Sequence, residues 1–225
     1  MKVVLVRYTT NPHEAIELAA SNCYDSIPNG KIMNTCYKSG HHSVLEFAQF
    51  HFHIEGISRA CSHQLVRTRT ASFAQRSQRY CSEDGFKYII PKSLNSNDDH
   101  TKAAKELYEN TINQIKECYE VMQTLGIPNE DARFILPNAC ETTIDMSIDF
   151  RNLCHFMNER LCTRAQWEIR ELAQKMRDCV IEVFPEARTM LVPKCERFDY
   201  PFCTERKSCG RHSTLKEQLR DKTKS

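Results

Sequence analysis

The sequence predicts an α/β (or α+β) fold: a single domain with a mixed or antiparallel sheet flanked by long helices. Three observations predict it. The chain opens on a β-branched run, "VVLVRY" (Val3 to Tyr8). A second segment, "FAQFHFHIEG", alternates Phe50, Phe52 and Ile54 with Gln49, His51, His53 and Glu55, the period of a half-buried strand. Two long stretches, Asp99 to Leu125 and Asp149 to about Phe184, carry apolar residues at helical spacing. With 225 residues and 40% hydrophobic content, the chain can bury one substantial core.

The elements follow in order. After the opening strand, "NPHEAIELAASNCY" begins a helix, with Asn11 as N-cap, Pro12 in the first turn and Glu14 near its positive end. "SRACSHQLVRTR" predicts a short helix after the second strand, and "KYIIP" a further strand beyond a turn. In the Asp99 to Leu125 helix, Leu107, Ile115, Cys118, Met122 and Leu125 form the apolar set, and Gly126 with Pro128 ends it. "NEDARFILPNA" is a short helix closed by Pro137. The stretch from Asp149 divides into two helical pieces, with "AQWEIRELA" in the second. From Lys194 onward the chain turns polar, with weak order expected towards its end.

The totals exclude several classes. Lys+Arg is 31 and Asp+Glu 29, a formal net charge of +2, so the chain is no general coat for nucleic acid. No apolar run approaches the ~18 residues of a membrane span, and the N-terminus lacks a signal-peptide core. Twelve cysteines, scattered singly and without any C-x-x-C, read as free thiols in a reducing compartment. These features predict a soluble cytoplasmic protein.

The positive charge is concentrated. "CSHQLVRTRTASFAQRSQRY" (Cys61 to Tyr80) carries Arg67, Arg69, Arg76 and Arg79, and no acid occurs from residue 57 through 82. Like charges repel, so something anionic must compensate them. The guanidinium fork matches phosphate oxygens in pairs, and Ser72 and Ser77 add hydroxyl donors. Gln64 and Gln75 can read a base edge. A solvated basic surface is the plainer alternative. His41, His42, His51 and His53 are a second cluster, but no carboxylate or thiol stands at ligand spacing beside them. The C-x7-C-x5-C series Cys195, Cys203 and Cys209, with His212, offers three thiols and an imidazole at wider spacing than a structural zinc usually takes. No metal is expected at either place.

In "IDFRNLCHFMNERLCTRAQWEIR", Asp149 is a plausible N-cap, and Arg151 and His155 share one helix face. Arg160 follows Arg151 by nine residues, about half a turn round at ~100° per residue. On one unbroken helix the two arginines cannot serve one pocket of one subunit.

"RTRTASFAQRSQRY" resembles the signature of the flavin-dependent thymidylate synthases, an R-H-R triplet followed by a serine and then S-x-R. "GHHSVLEF", "SRACSHQLV", "ARFILPNA" and "FRNLCHFMNERLCTRAQWEIRELA" are similar to the same family, over residues 1 to 190. The resemblance implies reductive methylation of dUMP to dTMP. Methylenetetrahydrofolate would be the carbon donor, and FAD reduced by NADPH the hydride source. It implies a homotetramer with active sites built across subunit interfaces, and no nucleic-acid or membrane partner. By resemblance, Ser43, Arg67, Thr68, Arg69, Gln75, Asp149, Arg151 and His155 match FAD-binding positions. Gln64, Arg67, Gln75, Ser77, Arg79, Arg133 and Arg160 match dUMP-binding positions. Arg160 matches the catalytic arginine that favours ionisation of the uracil ring at N3.

Two positions depart from that pattern. Thr68 replaces the middle histidine of R-H-R, and Asp149 stands where Asn is common. An acid near a dinucleotide repels its phosphates unless it faces the adenosine or caps the helix. The domain expected is residues 1–193, followed by a polar Cys-containing tail, 194–225. The rival function is a nucleotide- or single-stranded nucleic-acid-binding protein without turnover. It is thinly supported, because only Phe73 and Tyr80 interleave with the arginines.

Overall fold

The structure, a computed structural model, describes residues 1–222. Four strands form one antiparallel sheet in the order β1-β2-β4-β3: β1 is Lys2–Tyr8, β2 Gln49–Ser58, β3 Ser72–Gln75 and β4 Glu141–Asp149. Lys2 pairs with Glu55 at one end of β1, while the Thr9 amide donates to the Gln49 carbonyl at the other, at 3.0 Å. The helices are α1 (Pro12–Tyr24), α2 (Ile32–Lys38), α3 (Arg59–Leu65), α4 (Asp99–Thr124), α5 (Asn129–Ala132), α6 (Phe150–Arg160), α7 (Trp167–Val183) and α8 (Leu215–Lys222). Among the described residues no helix is long and apolar enough to cross a membrane.

The chain gathers into two compact units, interleaved in sequence. The first comprises residues 1–2, 54–67 and 74–144; the second, among the described residues, comprises 3–53, 68–73 and 145–222. The chain passes from one to the other inside each of the four strands and once more between residues 67 and 68. No glycine- or proline-rich linker marks those points, so composition alone does not reveal them.

In the first unit, α4 is the long amphipathic helix the spacing predicts, but its buried face differs. Ile112 and Tyr119 are buried, whereas Leu107 and Leu125 stand exposed. Ile112 packs with Phe86 and Cys140, and Tyr108 and Ile115 cover that cluster. "KYIIP" does not form a strand: Tyr88 makes one isolated bridge to Cys140. Two elements that the sequence pattern did not announce take part in the sheet. β4 alternates buried Thr142, Ile144, Met146 and Ile148 with less buried Thr143, Asp145 and Ser147. Its acids, Ser and Met weaken the β signal. β3 has four residues, too few for a period to register, and lies inside the arginine segment.

In the second unit, helix α1 begins where expected but without the expected cap. Asn11 has φ 48°, in the left-handed region, and its side chain makes no capping bond; its amide donates to Glu14 instead, at 3.2 Å. Asp149 does cap α6, accepting from the Asn152 backbone N–H at 2.9 Å. The core of this unit includes a run of aromatic contacts, with Phe150 5.1 Å from Phe184 and 6.0 Å from Phe50 between ring centroids.

Glu17 is a buried acid on α1 that organises the following turn. Its carboxylate accepts from the backbone N–H groups of Met33 (2.7 Å), Gly30 (3.1 Å) and Asn29 (3.3 Å), and it faces His13. Burial pushes this carboxyl up, but the three backbone donors outweigh burial and hold it below the usual carboxylate range. A depressed folded-state value contributes stability above pH about 4.5 that is lost as pH falls below it. Glu17→Gln is expected to destabilise the protein at pH 7 by about 2 kcal/mol. It should also flatten the acid limb of a melting-temperature-versus-pH curve, which differential scanning calorimetry would read.

Candidate functional site

The arginine segment is anchored in the first unit by acids from outside it. Arg76 pairs with Glu83 at 3.4 Å, and Glu83 is 6% exposed. The same guanidinium donates to the Ser82 carbonyl at 2.8 Å. Arg79 points both Nε and Nη2 at one Glu130 oxygen, at 3.1 and 3.0 Å. Arg133 donates to the Glu130 backbone carbonyl at 3.1 Å, so Glu130 joins these two expected substrate-binding arginines. The local repulsion that the sequence poses is therefore half solved by the fold. Arg67 and Arg69 have no hydrogen-bond or ion-pair partner among the described residues.

Ser77 and Gln75 are held in the same unit. The Ser77 hydroxyl accepts from the Arg79 backbone N–H at 3.2 Å. The Gln75 amide donates to the hydroxyls of Ser62 (2.9 Å) and Thr142 (3.3 Å), tying β3 to α3 and β4. Gln64 lies half-buried on α3. Arg59 was not singled out from the sequence. It is partly buried, donates to the Arg76 carbonyl at 2.8 Å and leaves its buried Nε without a partner. Burial pulls its pKa below the usual arginine value. No spacing signal marks Arg59, because its role depends on contact with residue 76.

The second unit contains an open cleft of about 1420 Å³. Arg151, Asn152, His155 and Asn158 line it from α6, Asn34, Tyr37 and Lys38 from α2, and Arg188 and Arg197 from beyond α7. Tyr37 and His42 stack at its wall, with centroids 5.3 Å apart and planes inclined by 23°. Burial drives the Tyr37 phenol up to about 12, so it stays protonated at neutral pH. Arg151 meets Glu46 at 2.5 Å. Arg151 and His155 thus come together as expected, while Arg160, at the far end of the unbroken α6, does not line the cleft. Ser43 and the Thr68–Arg69 pair do not line it either; Thr70 does. Asn34, Tyr37, Arg188 and Arg197 carried no motif, since they converge from separate elements.

The histidines do not gather as a set. His51 and His53 share a strand face, as the alternation requires, and Asp145 of β4 stands against both at 3.4 and 2.9 Å. The carboxylate missing from the local sequence is supplied from 92 residues away.

The substrate-type positions Gln64, Arg67, Gln75, Ser77, Arg79 and Arg133 all fall in the first unit, and Ser43, Thr68, Arg69, Asp149, Arg151, His155 and Arg160 in the second. The family profile described as "Thymidylate synthase complementing protein" matches residues 4–186, which contain every one of these positions. A flavin-dependent thymidylate synthase of Geobacter sulfurreducens is 39% identical over 235 aligned residues, covering 98% of this chain and 99% of that relative. The chain belongs to the flavin-dependent thymidylate synthases. A member from Pyrococcus furiosus is likewise 39% identical, covering 92% of this chain and 90% of its own. The fold is similar to a crystal structure of the flavin-dependent thymidylate synthase ThyX from Helicobacter pylori complexed with FAD and dUMP. The TM-score is 0.65 at 24% identity, covering 83% of this chain and 99% of that one.

Arg76→Ala would leave Glu83 buried and unpaired. It should cost about 2 kcal/mol, seen as a lower urea midpoint with unchanged slope. Arg79→Ala, whose partner Glu130 is exposed, should cost well under 1 kcal/mol in the same measurement.

Proposed function

We propose that the chain catalyses the reductive methylation of dUMP to dTMP, with methylenetetrahydrofolate as the carbon donor. A bound FAD, reduced by NADPH, supplies the hydride. What supports this reading is that every site position lies inside the matched family region and that two guanidinium groups of the arginine segment remain uncompensated.

The chain's own groups fit both ligands. The cleft of the second unit is larger than the roughly 300–1,000 Å³ of drug-sized pockets. Lys38, Arg151, Arg188 and Arg197 offer cations to a pyrophosphate there, and the Tyr37–His42 stack offers a flat wall. Asp149 does not oppose the phosphates. Its carboxylate is engaged by the Asn152 backbone and side-chain amides at 2.9 and 2.6 Å, which makes it a helix cap. Thr68 keeps a hydroxyl where the family pattern has a ring, so flavin orientation falls more heavily on Arg67 and Arg69.

In the first unit, Arg79, Arg133 and Ser77 are the phosphate-binding set. A phosphate dianion displaces the exposed Glu130 carboxylate from Arg79, because a bidentate charge-assisted contact is the stronger one. Arg160 sits beside uracil N3, where a fixed cation stabilises the ring anion and raises electron density at C5. Arg151 and Arg160 project from opposite sides of α6, so the complete site takes groups from different subunits of a homotetramer. Residues 1–193 form the catalytic domain, with 194–225 as an appended tail, and the enzyme acts in the cytoplasm.

The test is dTMP formation by purified protein supplied with dUMP, methylenetetrahydrofolate, NADPH and FAD, each omitted in turn. Product should disappear without FAD. Arg160→Ala should reduce turnover by about 100-fold, near 2.7 kcal/mol, with folding intact. Ordinary turnover in that variant would remove the ring-activation role, and turnover without flavin would overturn the reading.

A further inference from the structure

The thiols of the C-terminal segment have company that their spacing does not predict. Cys195, Cys203 and Cys209 line one small pocket of about 20 Å³, and Cys162, from the turn between α6 and α7, lines it with them. His212 lines it too, and the ligand atoms of Cys195, Glu196 and His212 lie within 4.8 Å of one another. All four cysteines are free thiols. Backbone bonds hold them in place. The Phe202 amide donates to the Cys195 carbonyl at 3.1 Å, and the Cys203 amide to the Ser213 carbonyl at 2.9 Å. The Cys209 thiol is hydrogen-bonded to the Thr163 side chain, next to Cys162.

This segment has almost no core of its own. From residue 194 through 220 only Cys195 is buried, while Phe198, Tyr200, Leu215 and Leu219 are exposed. Its two short helical pieces, Lys194–Glu196 and α8, are separated by a long irregular stretch. Short irregular segments that cannot bury apolar surface are commonly held by a metal or by disulfides. Arg164, Lys194 and Arg211 line the pocket as well, the first two paired with Glu205 and the third with Glu196.

We propose that Cys162, Cys195, Cys203 and Cys209 bind a structural zinc ion that pins the C-terminal segment to the α6–α7 turn. Zinc takes four thiolates tetrahedrally at about 2.3 Å. Among the described residues no three of these sulfurs lie within 4.8 Å of one another, so binding draws the thiols together as their protons leave. His212, held to Glu196 at 3.2 Å, closes the side of the site as an outer imidazole–carboxylate pair. Three of the four ligands lie beyond residue 186, where the family match ends, so the site does not depend on the proposed catalysis.

The experiment uses the untagged full chain, expressed with added zinc and purified under reducing conditions without chelator. Elemental analysis should find one zinc per chain after gel filtration, falling to a trace in Cys203→Ser/Cys209→Ser. The cobalt-substituted protein should show the thiolate charge-transfer and intense visible bands of a tetrahedral sulfur site. On the wild-type protein, chelation should expose four further thiols to a thiol reagent, a readout that does not depend on any variant folding. No zinc on the reduced wild-type chain after incubation with zinc would overturn the proposal. So would full zinc retention by the double variant, or a disulfide among the four cysteines.

Discussion

The pairing of Arg76 with the buried Glu83 is the constraint around which the first unit is arranged. An acid-free, arginine-rich stretch cannot pack against itself. Glu83 lets the stretch turn back after β3, because this buried acid neutralises one of its cations. Glu130 does the same at the surface for Arg79, and its backbone collects Arg133. The two acids have different consequences. Glu83 is out of solvent and its pair is structural. Glu130 is in solvent, so an anionic ligand can displace it. A pair with a buried acid and a pair with an exposed one thereby stand within one segment.

A second sorting follows from burial and capping. In the second unit, Asp149 carries a charge that would oppose a dinucleotide, yet its oxygens are occupied by the first turn of α6. The next residues on that helix, Arg151 and His155, are left to face the cleft. One acid thus fixes the helix start and sets the direction in which the following cation projects. Departure from a family pattern at Asp149 is accommodated by local chemistry.

The same unit contains a contrast between two kinds of stability. Around Phe150, aromatic rings and aliphatic side chains close a conventional core. Past residue 194 the buried surface is nearly absent, and polar ties replace it, such as Lys194 and Arg164 to Glu205. Such partly exposed ion pairs contribute little individually.

The sequence by itself determined the opening strand, the alternating β2, the three longer helices after residue 98 and the concentration of arginines. Each of these is a local pattern whose period or charge is visible within a window of ten to twenty residues. It also carried the family's motifs. The tertiary structure decided which arginines are compensated, since Glu83 and Glu130 lie outside the segment they neutralise. It decided that β4, with its weak propensity, is an inner strand, and that Asp145 faces His51 and His53. It decided that α4 turns Tyr119 inward and leaves Leu107 outside. It also decided that Cys162 joins the cysteines of the tail. These are long-range contacts, and a one-dimensional pattern does not record which distant residue will come to satisfy a charge, a strand edge or a thiol.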